Sequence, residues 1–323
     1  MKQIQNKTMM NANEPSRVVL VTGCEGFLGS HIAESFYNAG YEVAGLSHAY
    51  HTRHAFLKSY WSITLPTDLG PLIAAIKPAL VVHTASPALV GWSMDNPIDD
   101  FNGSAQSLIK LMDAIRRTSP ETRVIFLSSA AVYGEPQTLP ISEAHPVNPL
   151  SPYGYHKHIC ELILKEYQHI YNVRSCIVRI FSAYGEGLEK QVVWDLIQKF
   201  RTKAHVDVFG TGEETRDFIH GADVAKAALV IEKNAYFEAE VYNVANGTET
   251  SIRHLVNTMV EILGYQGEIV YSGSTRPGDP TRWRADISKL QDLGFTPSIR
   301  LEDGVQSLLA SKDPAWEINS GNI

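Results

Sequence analysis

RVVLVTGCEGFLGS, residues 17–30, changes its hydrophobic period half-way along. It opens on a short, β-branched apolar run, the mark of a fully buried strand. Beyond the run, Leu28, Ile32 and Phe36 recur at four-residue spacing, the stripe of a helix that packs on a core. Gly23, Gly26 and Gly29 fill the join. Gly40 ends the helical pattern, and YEVAGLS (41–47) reads as a second strand.

The same alternation continues along the chain. LGPLIAAIKP (69–78) reads as a helix, ALVVHTAS (79–86) as a buried strand and NPIDDFNGSAQSLIKLMDAIRRT (96–118) as one long helix. RVIFLSSAAVYG (123–134) is a strand running into a loop. YGYHKHICELILKEYQHIYN (153–172) is a helix, and RSCIVRIFSAYG (174–185) another strand and loop. Strands alternating with helices imply parallel pairing through right-handed crossovers. The predicted fold is α/β, a doubly wound, Rossmann-like parallel sheet. After residue 185 the rhythm loosens. Helices are expected at 192–200, 222–234 and 251–265, and the strand EVYNVA (240–245) is expected to return to the first sheet.

Glycines between a first strand and a first helix let the backbone turn tightly and approach a pyrophosphate, while the helix N-terminus faces its charge. Gly23, Gly26, Phe27 and Gly29 are therefore expected on a dinucleotide. In such folds a carboxylate at the end of the second strand bonds the ribose 2′-hydroxyl. Here that place is Ser47, and Arg53 follows among His48, His51 and His54. A missing carboxylate with a cation nearby suits the 2′-phosphate, so NADP is expected over NAD. The three histidines have neither a carboxylate nor a cysteine beside them in the sequence, so no metal site is expected. Asp68 and Leu69 read either as an adenine contact or as a plain helix cap. Ala85 ends the third strand beside the cofactor. The expected division is a dinucleotide domain of residues 16–180 and 221–247, a smaller substrate domain of 181–220 and 248–323, and a flexible tail at 1–15.

SPYGYHK (151–157) places Tyr153 and Lys157 four residues apart at the start of a helix, hence on one face. Ser128 and Ser129 end the preceding strand. Both segments belong on the carboxyl edge of the sheet, where ligands bind. A tyrosine with an ordinary pKa of ~10 needs a positive neighbour to act as a base near neutrality, and Lys157 is the expected one. The Ser129 hydroxyl can bond the same substrate oxygen. Ser129, Tyr153 and Lys157 are thus the expected catalytic set.

The 323 residues are 44% hydrophobic and 20% charged, with a net charge of −7, a soluble globular balance with no long basic run. Nucleic-acid binding is not expected. Three sparse cysteines, Cys24, Cys160 and Cys176, point to a reducing cytoplasm. The first residues lack the apolar core of a secretory signal, and no apolar run reaches the ~18 residues of a membrane span.

Taken together, the glycine loop, SSAAVYG (128–134), LPISE (139–143), SPYGYHK, VRIFSAYG (178–185), RDFIHGADVAKA (216–227), YNVANG (242–247) and RPGDP (276–280) resemble the extended short-chain dehydrogenase/reductases. The likeness covers roughly residues 17–310 and is to the nucleotide-sugar epimerase and dehydratase branch. It implies a nucleotide-sugar substrate, with Arg216 and Arg276 at the diphosphate and Ser86 and Ser182 beside the substrate. Arg forks match phosphate oxygens, which makes the first pair physically apt. It also implies a homodimer through the helices at 96–118 and 153–172. Dehydratases and decarboxylases of the branch carry acids beside the catalytic hydroxyl, and fucose-synthase-type epimerase/reductases carry a Cys there. This chain has Ala130 and Ala131. Chemistry needing only hydride transfer and one acid/base tyrosine remains: C4 epimerisation first, reduction of a 4-keto sugar as the alternative. A cofactor-sensing regulator would have little use for a complete Ser–Tyr–Lys set.

Overall fold

The computed structural model describes residues 17–274 and 280–310. The tail expected at 1–15 and Arg276 lie outside the described residues. Strands β1 (Val18–Thr22), β2 (Glu42–Ser47), β3 (Ser59–Ser62), β4 (Leu80–His83), β5 (Arg123–Ser129) and β6 (Ser175–Ile180) follow one another along the first half. Between and beside them run helices α1 (Phe27–Asn38), α2 (Gly70–Ile76), α3 (Val90–Asp95), α4 (Pro97–Phe101), α5 (Ser107–Thr118) and α6 (Pro152–Tyr171). The second half adds β7 (Ser182–Tyr184), α7 (Gln191–Thr202), β8 (His205–Val208), β9 (Thr215–Arg216), β10 (Phe218–His220) and α8 (Gly221–Asn234). It closes with β11 (Glu238–Val244), β12 (Thr250–Ser251), α9 (Ile252–Leu263), β13 (Glu268–Tyr271), α10 (Ser288–Gln291) and α11 (Leu301–Ala310).

Seven strands form one parallel sheet in the order β11-β6-β5-β4-β1-β2-β3. The run RVVLVTG is its centre, and Val19, Leu20 and Val21 are fully buried because helices cover both faces. On one side Ile32 and Phe36 of α1 and Val224 and Ile231 of α8 pack on Val19, Val21 and Ile125. On the other, Leu108, Leu111 and Ile115 of α5 and Leu164 of α6 pack on Leu20, Val81 and Val124. Each such side chain contributes about 1.5–3 kcal/mol by leaving water. Strand order reverses between β1 and its neighbours β2 and β4, so a crevice opens at their carboxyl ends.

Three features differ from the sequence reading. The short edge strand β3 carries no alternating pattern long enough to mark it. The helix expected over 96–118 is α4 and α5 joined by a π-helical turn at Asn102–Gln106. There the backbone approaches the loop after β4: a Cβ on Gly103 would lie 2.6 Å from Pro87 Cδ. The strand-and-loop segment expected over 174–185 has its loop part ordered as a second strand: past Phe181, Ser182 N donates to Asp217 O at 3.0 Å, and β7 pairs with β10 instead of continuing the sheet. That step carries the chain toward a separate apolar core of Leu196, Ile197, Val206, Leu255, Met259, Val305 and Leu308.

Candidate active site

A cleft of about 1300 Å3 lies over the carboxyl edge of the sheet, between the two halves of the chain. The turn after β1 forms its floor. Gly23 has φ +72°, and a Cβ there would meet Thr84 Oγ1 at 2.8 Å. A Cβ on Gly29 would stand 2.1 Å from Gly23 O, so only glycine lets α1 abut the turn. Gly26 is the N-cap of α1 and no side chain caps that end. The first N–H groups of α1 are left for an anion, which fits a dinucleotide pyrophosphate. Phe27, Ser47, Ala85, Ser86 and Ser182 line the same cleft.

The catalytic candidates converge on it. Ser151 caps α6, its Oγ accepting from Gly154 N at 3.2 Å, and Pro152 fixes the first turn. Tyr153, Lys157 and Ser129 all line the cleft. Burial pushes the Tyr153 phenol up to about 12, against a hydrogen bond with Ser129 that lowers it, while Asp100 and Cys160 add to the rise. Lys157 Nζ donates to Leu127 O at 2.8 Å and stands 5.7 Å from the Tyr153 ring centre. The expected lowering of the phenol by Lys157 is not among the influences on Tyr153. The ammonium is tied to the strand, and its own charge is opposed by burial.

The family model described as the NAD dependent epimerase/dehydratase family matches residues 19–245. The chain belongs to the NAD-dependent epimerase/dehydratase family. A Methanocaldococcus jannaschii protein that carries the name UDP-glucose 4-epimerase provisionally is 32% identical over 303 residues, covering 90% of this chain and 97% of that protein. The crystal structure of a UDP-glucose 4-epimerase with UDP-glucose from Thermotoga maritima superposes with a TM-score of 0.83 at 27% identity, covering 91% of this chain and 97% of that one. A UDP-glucuronic acid 4-epimerase from Bacillus cereus, in complex with UDP-glucuronic acid and NAD, gives 0.82 at 26%, covering 91% and 98%.

In this epimerase/dehydratase-family chain several expected cofactor residues stand elsewhere. Asp68 stands just before α2, where it accepts from Gly70 N at 2.9 Å and pairs with Arg117 of α5 at 3.1 Å. Leu69 is buried in the core beneath α5. Neither lines the cleft; Ile63, Thr64 and Leu65, just past β3, do. Of the two readings the sequence left open for Asp68, the hydrogen bond to the start of α2 favours the helix cap, and β3, which was not legible, brings residues 63–65 to the cleft. Arg53 does not line the cleft either. Its Nη2 donates to Glu25 O at 3.1 Å and its Nε lies 3.5 Å from the Glu25 carboxylate. The cation on which the NADP expectation rests is thus already engaged by the glycine loop.

On the substrate side, Arg216 lines the cleft, with Nη1 donating to Pro280 O at 2.9 Å and the guanidinium 5.9 Å from the Trp283 ring centre. Lys190, missed from sequence, stands half-buried in the cleft wall. Burial alone lowers its ammonium, and among the described residues it draws no ion pair. Nothing in the motif pattern marks Lys190, because only the turn between β7 and α7 aims it inward.

Beneath the site, Arg179 grips Glu161 with Nε–Oε1 at 2.9 Å and Nη2–Oε2 at 2.6 Å, and Ser128 Oγ donates to Glu161 Oε1 at 2.7 Å. This network ties α6 to β5 and β6 under Tyr153 and Lys157. Among the described residues no group of three or more His, Cys, Asp or Glu could hold a metal ion, and no helix is long and apolar enough to cross a membrane.

Proposed function

We propose that the chain is a nucleotide-sugar 4-epimerase that works with a bound nicotinamide dinucleotide. The observation that carries this reading is the Ser129–Tyr153–Lys157 set in the switch-point cleft, with Ala130 and Ala131 where elimination chemistry would need acids. When bound, the nicotinamide supplies a hydride acceptor that can return the hydride. Tyr153 takes the proton of the C4 hydroxyl and Ser129 orients that oxygen. Lys157, tied to Leu127 O, holds a positive charge beneath the pair. A base placed in this way contributes about 10²–10⁴-fold. The keto sugar turns over in the cleft, and Tyr153 gives the proton back when hydride reaches the other face.

Lys190 and Arg216 face the diphosphate from the second half of the chain. NAD is the cofactor this reading takes, because Arg53 is held by Glu25. The enzyme pairs with a second copy through α5 and α6. The supporting feature is the exposed apolar side chains on and beside these helices, Ile98 of α4 at 73%, Tyr155 of α6 at 53% and Leu162 of α6 at 50%.

The deciding experiment incubates the purified protein with UDP-glucose, UDP-galactose and UDP-glucuronic acid in turn and follows the sugar C4 configuration by NMR. Interconversion of a C4 pair without net consumption of dinucleotide is expected. Stoichiometric oxidation of added reduced dinucleotide by a 4-keto nucleotide sugar, with no interconversion, would assign a reductase instead. Binding without any turnover would leave a regulator.

A further inference from the structure

The glycine loop contains one charged residue, Glu25, and its side chain is only 11% exposed. Its carboxylate gathers the segment that follows β2. Thr52 Oγ1 donates at 2.5 Å, Arg53 N reaches it at 3.5 Å, and His54 Nε2 stands 3.8 Å away. The Glu25 carbonyl accepts from Arg53 Nη2 at 3.1 Å, so the guanidinium lies along the loop. The loop itself is pinned to the end of β2, since Gly23 N and Cys24 N both donate to Leu46 O, at 2.6 and 3.3 Å. The next residue is Ser47, which holds the place where dinucleotide folds carry their ribose-binding carboxylate.

We infer that Glu25 selects NAD over NADP in this enzyme, holding Arg53 against the glycine loop and setting a negative charge beside the adenosine ribose. The inference rests on the reading that the cleft takes a dinucleotide. Two physical effects act in the same direction. A 2′-phosphate brought to the end of β2 meets a carboxylate of like charge, which disfavours it. The one guanidinium of the segment after β2 cannot turn to that phosphate without giving up its place beside the partly buried Glu25 carboxylate, which would keep only Thr52 Oγ1 and Arg53 N. Arg53 is therefore a latent phosphate ligand, and Glu25 keeps it latent. The position that a sequence pattern assigns to the acid is Ser47; the acid that does the selecting comes from the turn across the crevice.

The test is calorimetric titration of nucleotide-free protein with NAD and with NADP. Wild type is expected to hold NAD more tightly, and Arg53→Ala to leave the ratio of the two dissociation constants unchanged. Glu25→Gln keeps the size of the side chain and its bond from Thr52, and is expected to tighten NADP about tenfold or more with little change for NAD. Glu25→Ala should move the ratio in the same direction. In Glu25→Gln/Arg53→Ala the gain should shrink but not vanish, because the released guanidinium supplies one part of it and the loss of the like charge the other. A wild type that prefers NADP, or a Glu25→Gln ratio equal to that of wild type, overturns the inference. So does a gain in the double variant as large as that in Glu25→Gln alone. A wild type that binds neither nucleotide overturns the dinucleotide reading itself, a separate result. Thermal midpoints of each variant confirm that the loop has kept its fold.

Discussion

Asp100 and His156 meet at 2.6 Å between α4 and α6, while the second oxygen of the Asp100 carboxylate is buried with no hydrogen-bond partner among the described residues. The face of α6 that Asp100 meets carries Tyr153, Lys157 and Cys160 beside His156. After burial, Asp100 and Cys160 are what raise the phenol, and they, with Glu161, are what raise the ammonium. Removing the Asp100 charge therefore favours the deprotonated form of both groups. Asp100→Asn is expected to move both limbs of the kcat/KM pH profile to lower pH. A profile that merely falls in height, with neither limb moved, would show that Asp100 acts on packing alone.

Tyr153→Phe deletes one hydroxyl and little volume. Turnover should fall by roughly two orders of magnitude or more, while the dissociation constant for NAD stays nearly as it was. On the proposed mechanism the phenol takes the substrate proton, whereas the dinucleotide would rest mainly on the glycine turn and α1. Near-normal turnover in the purified variant would remove Tyr153 from the mechanism.

Lys190→Ala and Arg216→Ala each take a cation from the cleft wall of the second half. Each is expected to raise KM for the nucleotide sugar about tenfold, the worth of one charge-assisted bond to phosphate. Affinity for NAD should not follow. Titration of both ligands on both variants separates the two. Equal losses for sugar and dinucleotide would place these residues outside the diphosphate site.

Glu161 is the acid whose ionisation the fold depends on. Burial would raise its carboxyl, but hydrogen bonds from Arg179 and Ser128, with His158 Nδ1 3.7 Å away, hold it at about 2, below the ordinary 4.5. The folded state binds this proton less readily than the unfolded chain. Its contribution is therefore complete above about pH 4.5 and is lost as pH falls toward 2. Glu161→Gln leaves Arg179 buried and unpaired, at a cost on the order of 3–5 kcal/mol. Denaturant titrations between pH 6 and 2.5 should show wild type losing stability in that window and the variant losing less. Parallel curves would count against the pair.

Leu162→Glu places a charge in the apolar face of α6, where the wild-type side chain is 50% exposed. If a second copy covers that face, light scattering should show a dimer in wild type and a monomer in the variant. A monomeric wild type would end the pairing proposal.

The sequence by itself determined what depends on residues close along the chain. A β-branched run, three glycines and a four-residue apolar stripe are local patterns, and they specified strand, turn and helix without reference to anything distant. The Tyr153–Lys157 spacing likewise fixed a shared helix face, and Ser151 and Pro152 marked where that helix starts. Only the tertiary structure decided which charges meet. Glu25 with Arg53, Asp100 with His156, Asp68 with Arg117 and Glu161 with Arg179 are separated by 28, 56, 49 and 18 residues. Each pair is brought together by a crossover whose path leaves no trace in local periodicity. That is why Arg53 read as a phosphate ligand and why Asp68 stayed open between an adenine contact and a helix cap. A side chain's partner depends on the element packed against it, and here that element is a neighbour in space but distant along the chain.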